Sequence, residues 1–558
     1  MTLFPNLCRQ PDSLFFVSGD GTITKAARRG SSSIWSGARS AATVCEQEEM
    51  VTIRIESAVA LCRLFLRWRH DFLEETRFLG DTWERSYGNL EWRTASPQHV
   101  MPWYFLASRK GETAGYGVGT GAACIAIWRI DRDGVTLELD VRSGGVGVEL
   151  GDRGLDACTI RQTFSQQEET PYNTARRLCS LLCPSPLLPS EPVIGHNDWY
   201  WLYGHNSAGK IVEATRRLAD LVPGNARIRP WSIVDDGWQS PVQGIPGGCN
   251  GGPWDQGNDL FPDMGQLSED ISALGARPGI WMRPLLTAAR PPASWLLRSP
   301  RPADAAQGYV LDPSHPEVLR HVETDMRRVR SWGYELIKHD FTTFDITGRW
   351  GFEMNTGAGG FTSDGWSFHT RSQTTAEIIT ELYRRIRKGA DSQALIMGCN
   401  AVGHLGAGLM ELQRIGDDTS ATDWARTRGM GVNTLAFRLP QHGRLFSADA
   451  DCIPVSPHIP EKLTLSWLDL VARSGTPLLI SLDPAAQKPG MTAALKRAFV
   501  CAIAPAADVE PLDWMETSIP REWRFGKQTE VYRWSEFDTP PSAPASSSLH
   551  AEPVGVPC

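Results

Sequence analysis

Several things are missing from this sequence, and each absence excludes a class of protein. No apolar run in the 558 residues reaches the roughly 18 that a membrane-spanning helix needs. Positive charge is not in excess. Lys and Arg total 56 against 64 for Asp and Glu, the net charge is −8, and no basic block stands out, which argues against a nucleic-acid partner. Cysteine is sparse at 12, too few for a disulfide scaffold in a chain this long. Cys179 and Cys183 stand four apart with no second Cys or His pair beside them, so they are not read as a metal pair. No Asn-x-Ser/Thr sequon occurs, and Met1–Arg9 shows no basic segment running into an apolar one. The expectation is a cytoplasmic protein without a secretory signal. The Gly-rich run Gly115–Gly121 lacks the Gly-Lys-Ser/Thr ending of a phosphate loop and leads into Ile125, Ile127 and Ile130. It is read as a hairpin.

What is present is ordinary globular composition, 41% hydrophobic and 22% charged. The length suits three or four domains of about 150 residues. Tryptophan is the abundant residue, 21 in all. Its flat faces suit sugar rings and also fill cores, and composition leaves both readings open.

Patterning divides the chain. Between Lys25 and Thr43, Ser, Gly, Arg and Ala dominate, and residues 1–45 are taken as an uncertain or disordered segment. From Val51 to about Thr163 apolar residues alternate with polar ones, as in Leu64, Leu66, Trp68 and in Val135, Leu137, Leu139, Val141. Period two between Gly-rich turns predicts a β-sandwich over 46–185. The run Pro184–Pro192 holds four prolines and reads as a linker. Strand and helix patterns then alternate from 186 to 510, which predicts a (β/α)8 TIM barrel. An open doubly wound sheet would want a Gly-rich first βα turn, and His196-Asn-Asp-Trp199 stands there instead. Residues 511–558 are expected to be a short β remnant and a disordered Pro-, Ser- and Ala-rich tail from Asp538. The fold class is therefore multidomain: an N-terminal β-sandwich, a TIM barrel and a short C-terminal β segment.

Barrel active sites sit at the C-terminal strand ends. Reading those ends gives Asn197-Asp198-Trp199, then Asp235-Asp236-Gly-Trp238, then Trp281 and Arg283. Lys338-His-Asp340, Cys399-Asn400, Arg414-Ile-Gly-Asp417-Asp418 and Asp449-Ala-Asp451 follow. Carboxylates converging beside aromatic platforms suit glycosidic-bond chemistry, in which one carboxylate attacks and another protonates the leaving oxygen. Zinc spacing is absent, and a Mg or Ca site from Asp235, Asp236 and Asp451 is the alternative use of the acids.

At these residues the chain resembles the α-galactosidase clan, glycoside hydrolase families 27 and 36, with family 36 the closer. The likeness spans roughly 190–500 and extends loosely to the preceding sandwich. It implies a retaining exo-glycosidase for terminal α-D-galactosyl groups, with no cofactor, no metal and an oligosaccharide or glycoside as partner. It implies Asp340 of Lys338-His-Asp340 as nucleophile, with Lys338 binding sugar hydroxyls and keeping Asp340 ionised. It implies Asp418, four residues after Arg414, as acid/base, with Asp417 as the rival; here Asp417 replaces the Pro usual in family 36. Repulsion among neighbouring carboxylates is expected to raise the proton affinity of one of them. Asp235 and Asp236 match the pair that reads O4 and O6. Trp199, Trp281, Cys399, Arg414 and Asp451 complete the implied sugar-binding set. The strand-five segment Gly398-Cys-Asn-Ala-Val-Gly-His404 departs from the usual Gly-Cys-Gly-x-Pro, so Asn400 and His404 are expected to reshape the pocket near the second sugar carbon. α-N-Acetylgalactosaminidase, β-L-arabinopyranosidase, galactosyl transfer and a non-catalytic carbohydrate-binding barrel remain the alternatives.

Overall fold

The computed structural model describes residues 3–37, 39–224, 228–240, 250–299, 308–354, 360–505 and 508–535. The N-terminal part is two antiparallel sheets, one of six strands and one of eight. Alternation sets their register. In Leu61–Arg69, Leu61, Leu64, Leu66 and Trp68 are buried and the residues between them are not. The strand pairs on one side with Ser13–Ser18 and on the other with Gly134–Asp140.

Residues 3–37 and 39–45 form strands and turns in place of the expected disordered segment. Among them Ser13–Ser18, Ile23–Lys25, Ala27–Arg28 and Ile34–Gly37 are strands, and Ser40–Gln47 forms a hairpin with Met50–Ser57. The signal was faint because the inward face of Ser40–Gln47 is small: Ser40, Ala42 and Val44. The Gly115–Gly121 run begins in the second arm of a hairpin, Tyr104–Arg109 with Glu112–Val118, and then leaves it. Glu112–Val118 lies in the eight-stranded sheet and Ile125–Asp131 in the six-stranded one, so the run crosses between sheets. Its glycines make room for the helix Pro171–Leu182. A Cβ at Gly117 would stand 2.7 Å from Tyr104 Cβ and 2.8 Å from a Leu182 methyl.

The second part is a parallel sheet whose strands follow in sequence as Ile194–Asn197, Trp231–Val234, Arg277–Met282, Leu336–His339, Leu395–Gly398, Leu412–Arg414, Ser447–Asp449 with Ile453–Val455, and Leu478–Leu482. The two segments Ser447–Asp449 and Ile453–Val455 are the ends of the sheet, yet only three residues separate them. They act as two halves of a seventh strand, and the sheet returns on itself as a TIM-like barrel. Asp451 sits in the break with φ of 76°, a left-handed conformation that a non-glycine residue holds only where its surroundings impose it.

The helices that alternate with these strands include Ala208–Leu221, Met264–Ala273, Pro316–Ser331 and Thr375–Ala390. Their N-caps are Ser207, Asp263, His315 and Thr374, each accepting a backbone N–H. Glu461–Ser474 and Pro489–Ile503 escaped the sequence reading, although Leu463, Trp467 and Leu470 repeat at helical spacing and are buried. After strand six, Trp424–Thr427 is continued by a π-helical stretch Arg428–Asn433 and by Thr434–Arg438. A three-stranded antiparallel sheet over 509–531 is the short C-terminal β segment. The tail predicted from Asp538 lies outside the described residues. Among the described residues no helix is long and apolar enough to cross a membrane.

Candidate active site

The strand ends bring the acids together as two linked networks. The first begins at strand four. Asp340 is fastened by three donors: Phe341 N–H at 2.7 Å and Asn400 N–H at 2.9 Å on Oδ1, and Trp281 Nε1 at 3.1 Å on Oδ2. Lys338, two residues earlier and therefore on the same face of the strand, donates to Asp235 Oδ2 at 2.7 Å. Burial pushes the Asp340 carboxyl up, but Lys338 and then Arg85 outweigh it, and the group ends below the usual carboxylate range. Burial likewise acts against the Lys338 ammonium. Asp235 overturns that and leaves Lys338 well above its ordinary value.

Asp235 also accepts from Asn197 Nδ2 at 2.5 Å and from Asp236 N–H at 2.9 Å. Its own N–H donates to Asp198 at 2.8 Å. Asp236 is half-buried and takes one bond from Gln239 Nε2 at 2.6 Å. Burial, with Asp235 adding to it, raises Asp236 to about 6. The same causes raise the fully buried Asp198 to about 7. Because the folded value of Asp198 lies above the unfolded one, the unfolded chain releases this proton between about pH 4 and 7 while the native chain keeps it, so stability falls as pH rises through that window. Asp198→Asn is expected to flatten the fall by about 2–4 kcal/mol between pH 4 and 8, read from denaturation curves of both proteins.

The second network is built on Arg414, which is 2% exposed. It donates to Asp418 Oδ1 at 2.8 Å, pairs with Asp451 Oδ1 at 3.0 Å and reaches the Cys399 sulfur at 3.7 Å. Asp418 is the open member, its side chain 41% exposed. Burial acts upward on it, but Arg414, Arg85 and Lys338 overcome this and bring it down to about 2. The raised proton affinity expected from crowded carboxylates is therefore absent at Asp418: two guanidiniums face it, and they outweigh the acids.

Other residues land differently from the sequence reading. Asp451 has no oxygen left over. Tyr200 Oη, Thr419 N–H and Thr419 Oγ1 donate to Oδ2, while Arg414 and Cys452 N–H engage Oδ1. It braces Arg414, and since Asp235 is taken by Lys338, the acids of the alternative cation site are divided between the two networks. Trp281 is buried against Asp340, with Trp238 Nε1 donating to its carbonyl at 2.9 Å. Trp199 is half-buried, and its ring packs edge-on against Tyr203. Asn400 supports strand four, accepting Phe344 N–H on its side chain. His404 points away from the pocket and stacks on Trp103 of the sandwich at 4.7 Å. Arg283 is occupied by Asp345 at 2.7 Å.

The residue that sequence reasoning missed altogether is Arg85. It comes from the sandwich, pairs with Asp417 at 2.8 Å and lies 3.8 Å from Asp418. No local pattern marks it, because its partners belong to a different part of the chain.

No protein-family model matches the sequence, and no curated protein does. Solved structures do match in fold. One is an α-galactosidase from Thermus thermophilus in complex with p-nitrophenyl α-D-galactopyranoside, with TM-score 0.60 and 17% identity over 93% of this chain and 99% of that one. The same enzyme with stachyose matches at TM-score 0.57 over 87% of this chain and 99% of that one. A family 36 α-galactosidase variant from Geobacillus stearothermophilus, in complex with 1-deoxygalactonojirimycin, matches at TM-score 0.54 and 14% identity over 88% and 75% of the two chains. At such identities the likeness is one of fold, and on that level the resemblance read from the sequence is borne out.

Proposed function

We propose that the chain is a retaining exo-glycosidase that hydrolyses terminal α-D-galactosyl groups. The observation that carries this reading is the setting of Asp340. A buried carboxylate is held ionised at a strand end, oriented by three donors, with a second carboxylate on Arg414 close enough for its charge to act on it. The α-galactosidase structures of the same fold, with galactoside and oligosaccharide bound, support the choice of sugar.

Asp340 Oδ attacks the anomeric carbon, the glycosidic C–O bond breaks, and Asp418 delivers a proton to the departing oxygen. Asp418 then takes a proton from water, which attacks the galactosyl-enzyme and restores Asp340. Without substrate Asp418 is ionised and partly open to solvent. Seating the leaving group over that open edge removes water from Asp418 and raises its proton affinity, the direction a general acid needs. The Asp235–Asp236 pair reads O4 and O6. A sugar that lacks either hydroxyl leaves one of these carboxylates without its partner and is disfavoured. The test is the initial rate on aryl α-galactoside, α-N-acetylgalactosaminide, β-L-arabinopyranoside and α-glucoside. A dominant α-galactoside rate is expected. Folded protein that turns over none of the four contradicts the reading.

A further inference from the structure

We propose that Arg85, a residue of the sandwich, is a positioning residue of the barrel site: it shares itself between Asp417 and Asp418 and so holds the acid/base carboxylate in place. This rests on the reading of Asp418 as acid/base. The segment that carries Arg85 is laid along the end of strand six. Ser86 N–H donates to Ile415 O at 2.8 Å and Asp417 N–H donates to Ser86 O at 2.8 Å, a parallel bridge that prolongs the barrel strand with a piece of the other unit. Arg438 clamps the two chains from below, donating to Glu84 O at 3.1 Å and Ile415 O at 2.8 Å while pairing with Asp81 at 3.0 Å. Gly88, at φ of 72°, lies so close to Gly429 that a Cβ would stand 2.8 Å from its carbonyl carbon. Asn433 brackets Leu90 with two hydrogen bonds, at 3.2 and 2.7 Å.

These anchors deliver one buried guanidinium to the mouth. Arg85 is 6% exposed and lies over the Trp350 ring at 5.1 Å. Its Nη2 meets Asp417 Oδ1 and its Nη1 faces Asp418 Oδ1. Arg414 also meets Oδ1 of Asp418. With both cations on one oxygen, Oδ2 is the oxygen that exchanges the proton. Asp417 is held from its other side by Arg426 at 2.7 Å, and Arg426 Nε donates to Asp418 O at 2.8 Å. The remaining charged or titratable groups that act on Asp418 are Lys338 and Asp340 of strand four and Tyr200 and Tyr203 after strand one, with Asp451 beyond Arg414.

The experiment is the pH profile of kcat on an alkyl α-galactoside, whose departing oxygen needs the proton and whose alkaline limb reports the acid/base in the substrate complex. Arg85→Met removes a cation and leaves Asp417 facing Asp418, so the limb is expected to move up by about one pH unit. Arg85→Lys keeps the charge and is expected to restore most of the wild-type profile. Asp417→Asn is the second variant, a nearly isosteric change whose amide oxygen can still accept from Arg85 and Arg426. The change weakens the competing hold on Arg85 and removes a neighbouring carboxylate, so the limb is expected to move down. A limb unmoved in both folded Arg85→Met and Asp417→Asn, whatever their melting temperatures, overturns the proposal. A wild-type protein without α-galactosidase activity overturns the functional reading and the proposal with it. An active wild type with unmoved limbs overturns only the part given to Arg85.

Discussion

Asp340→Asn is expected to lower kcat on an aryl α-galactoside by at least about 10³-fold while leaving galactose affinity within a few-fold. The amide is no nucleophile, yet it keeps the shape of the site. Its oxygen can still accept the Phe341 and Asn400 N–H groups that Asp340 Oδ1 accepts. The cost falls on the other side, where the amide NH2 meets the Trp281 Nε1 donor at a spacing of 3.1 Å. The split between turnover and affinity is therefore the readout, measured as p-nitrophenol release against galactose binding by calorimetry. Turnover that survives the change removes Asp340 from the nucleophile role. Joint loss of turnover and binding means that Asp340 holds the pocket rather than acting in it.

Asp418→Ala is expected to separate substrates by leaving group. Alkyl galactosides, whose departing oxygen needs a proton, should lose about 10²–10⁴-fold in kcat/KM. An aryl galactoside with an acidic phenol should lose far less in that step and accumulate galactosyl-enzyme, because the water that releases it has lost its base. The change also strips the Arg414 and Arg85 guanidiniums of a shared anion. Their other partners, Asp451 and Asp417, remain and keep the fold. Equal losses on both substrates would assign the acid to another group. Asp417, held between Arg85 and Arg426, is the first to examine.

What the sequence makes legible is what repeats locally. Leu64, Leu66 and Trp68 announce the sandwich, and the strand ends announce Lys338, Asp340, Arg414 and Asp418. Short apolar strands between amphipathic helices leave few other places for charged residues to converge. What the sequence conceals depends on partners far along the chain. The inward face of Ser40–Gln47 is too small to show its period, yet it pairs along its length with Met50–Ser57. His404 looks like a pocket residue by its place after strand five and is taken instead by Trp103 of the sandwich. Asp451 resembles a sugar ligand by its motif, and only the positions of Tyr200, Thr419, Arg414 and Cys452 show that its oxygens are spoken for. Arg85 is hidden for the same reason. The charge balance at Asp418 likewise turns on two arginines from different units, which a count of neighbouring carboxylates in the sequence does not include.

The anomeric form of the first galactose released tests the double displacement at Asp340 most directly. Proton NMR of p-nitrophenyl α-galactoside during the first minutes of reaction separates the α and β products before they interconvert. Early appearance of α-galactose, with β-galactose growing in later by mutarotation, is the expected result. Early β-galactose would contradict the covalent intermediate and recast Asp340 as the carboxylate that guides water to the far face of the sugar.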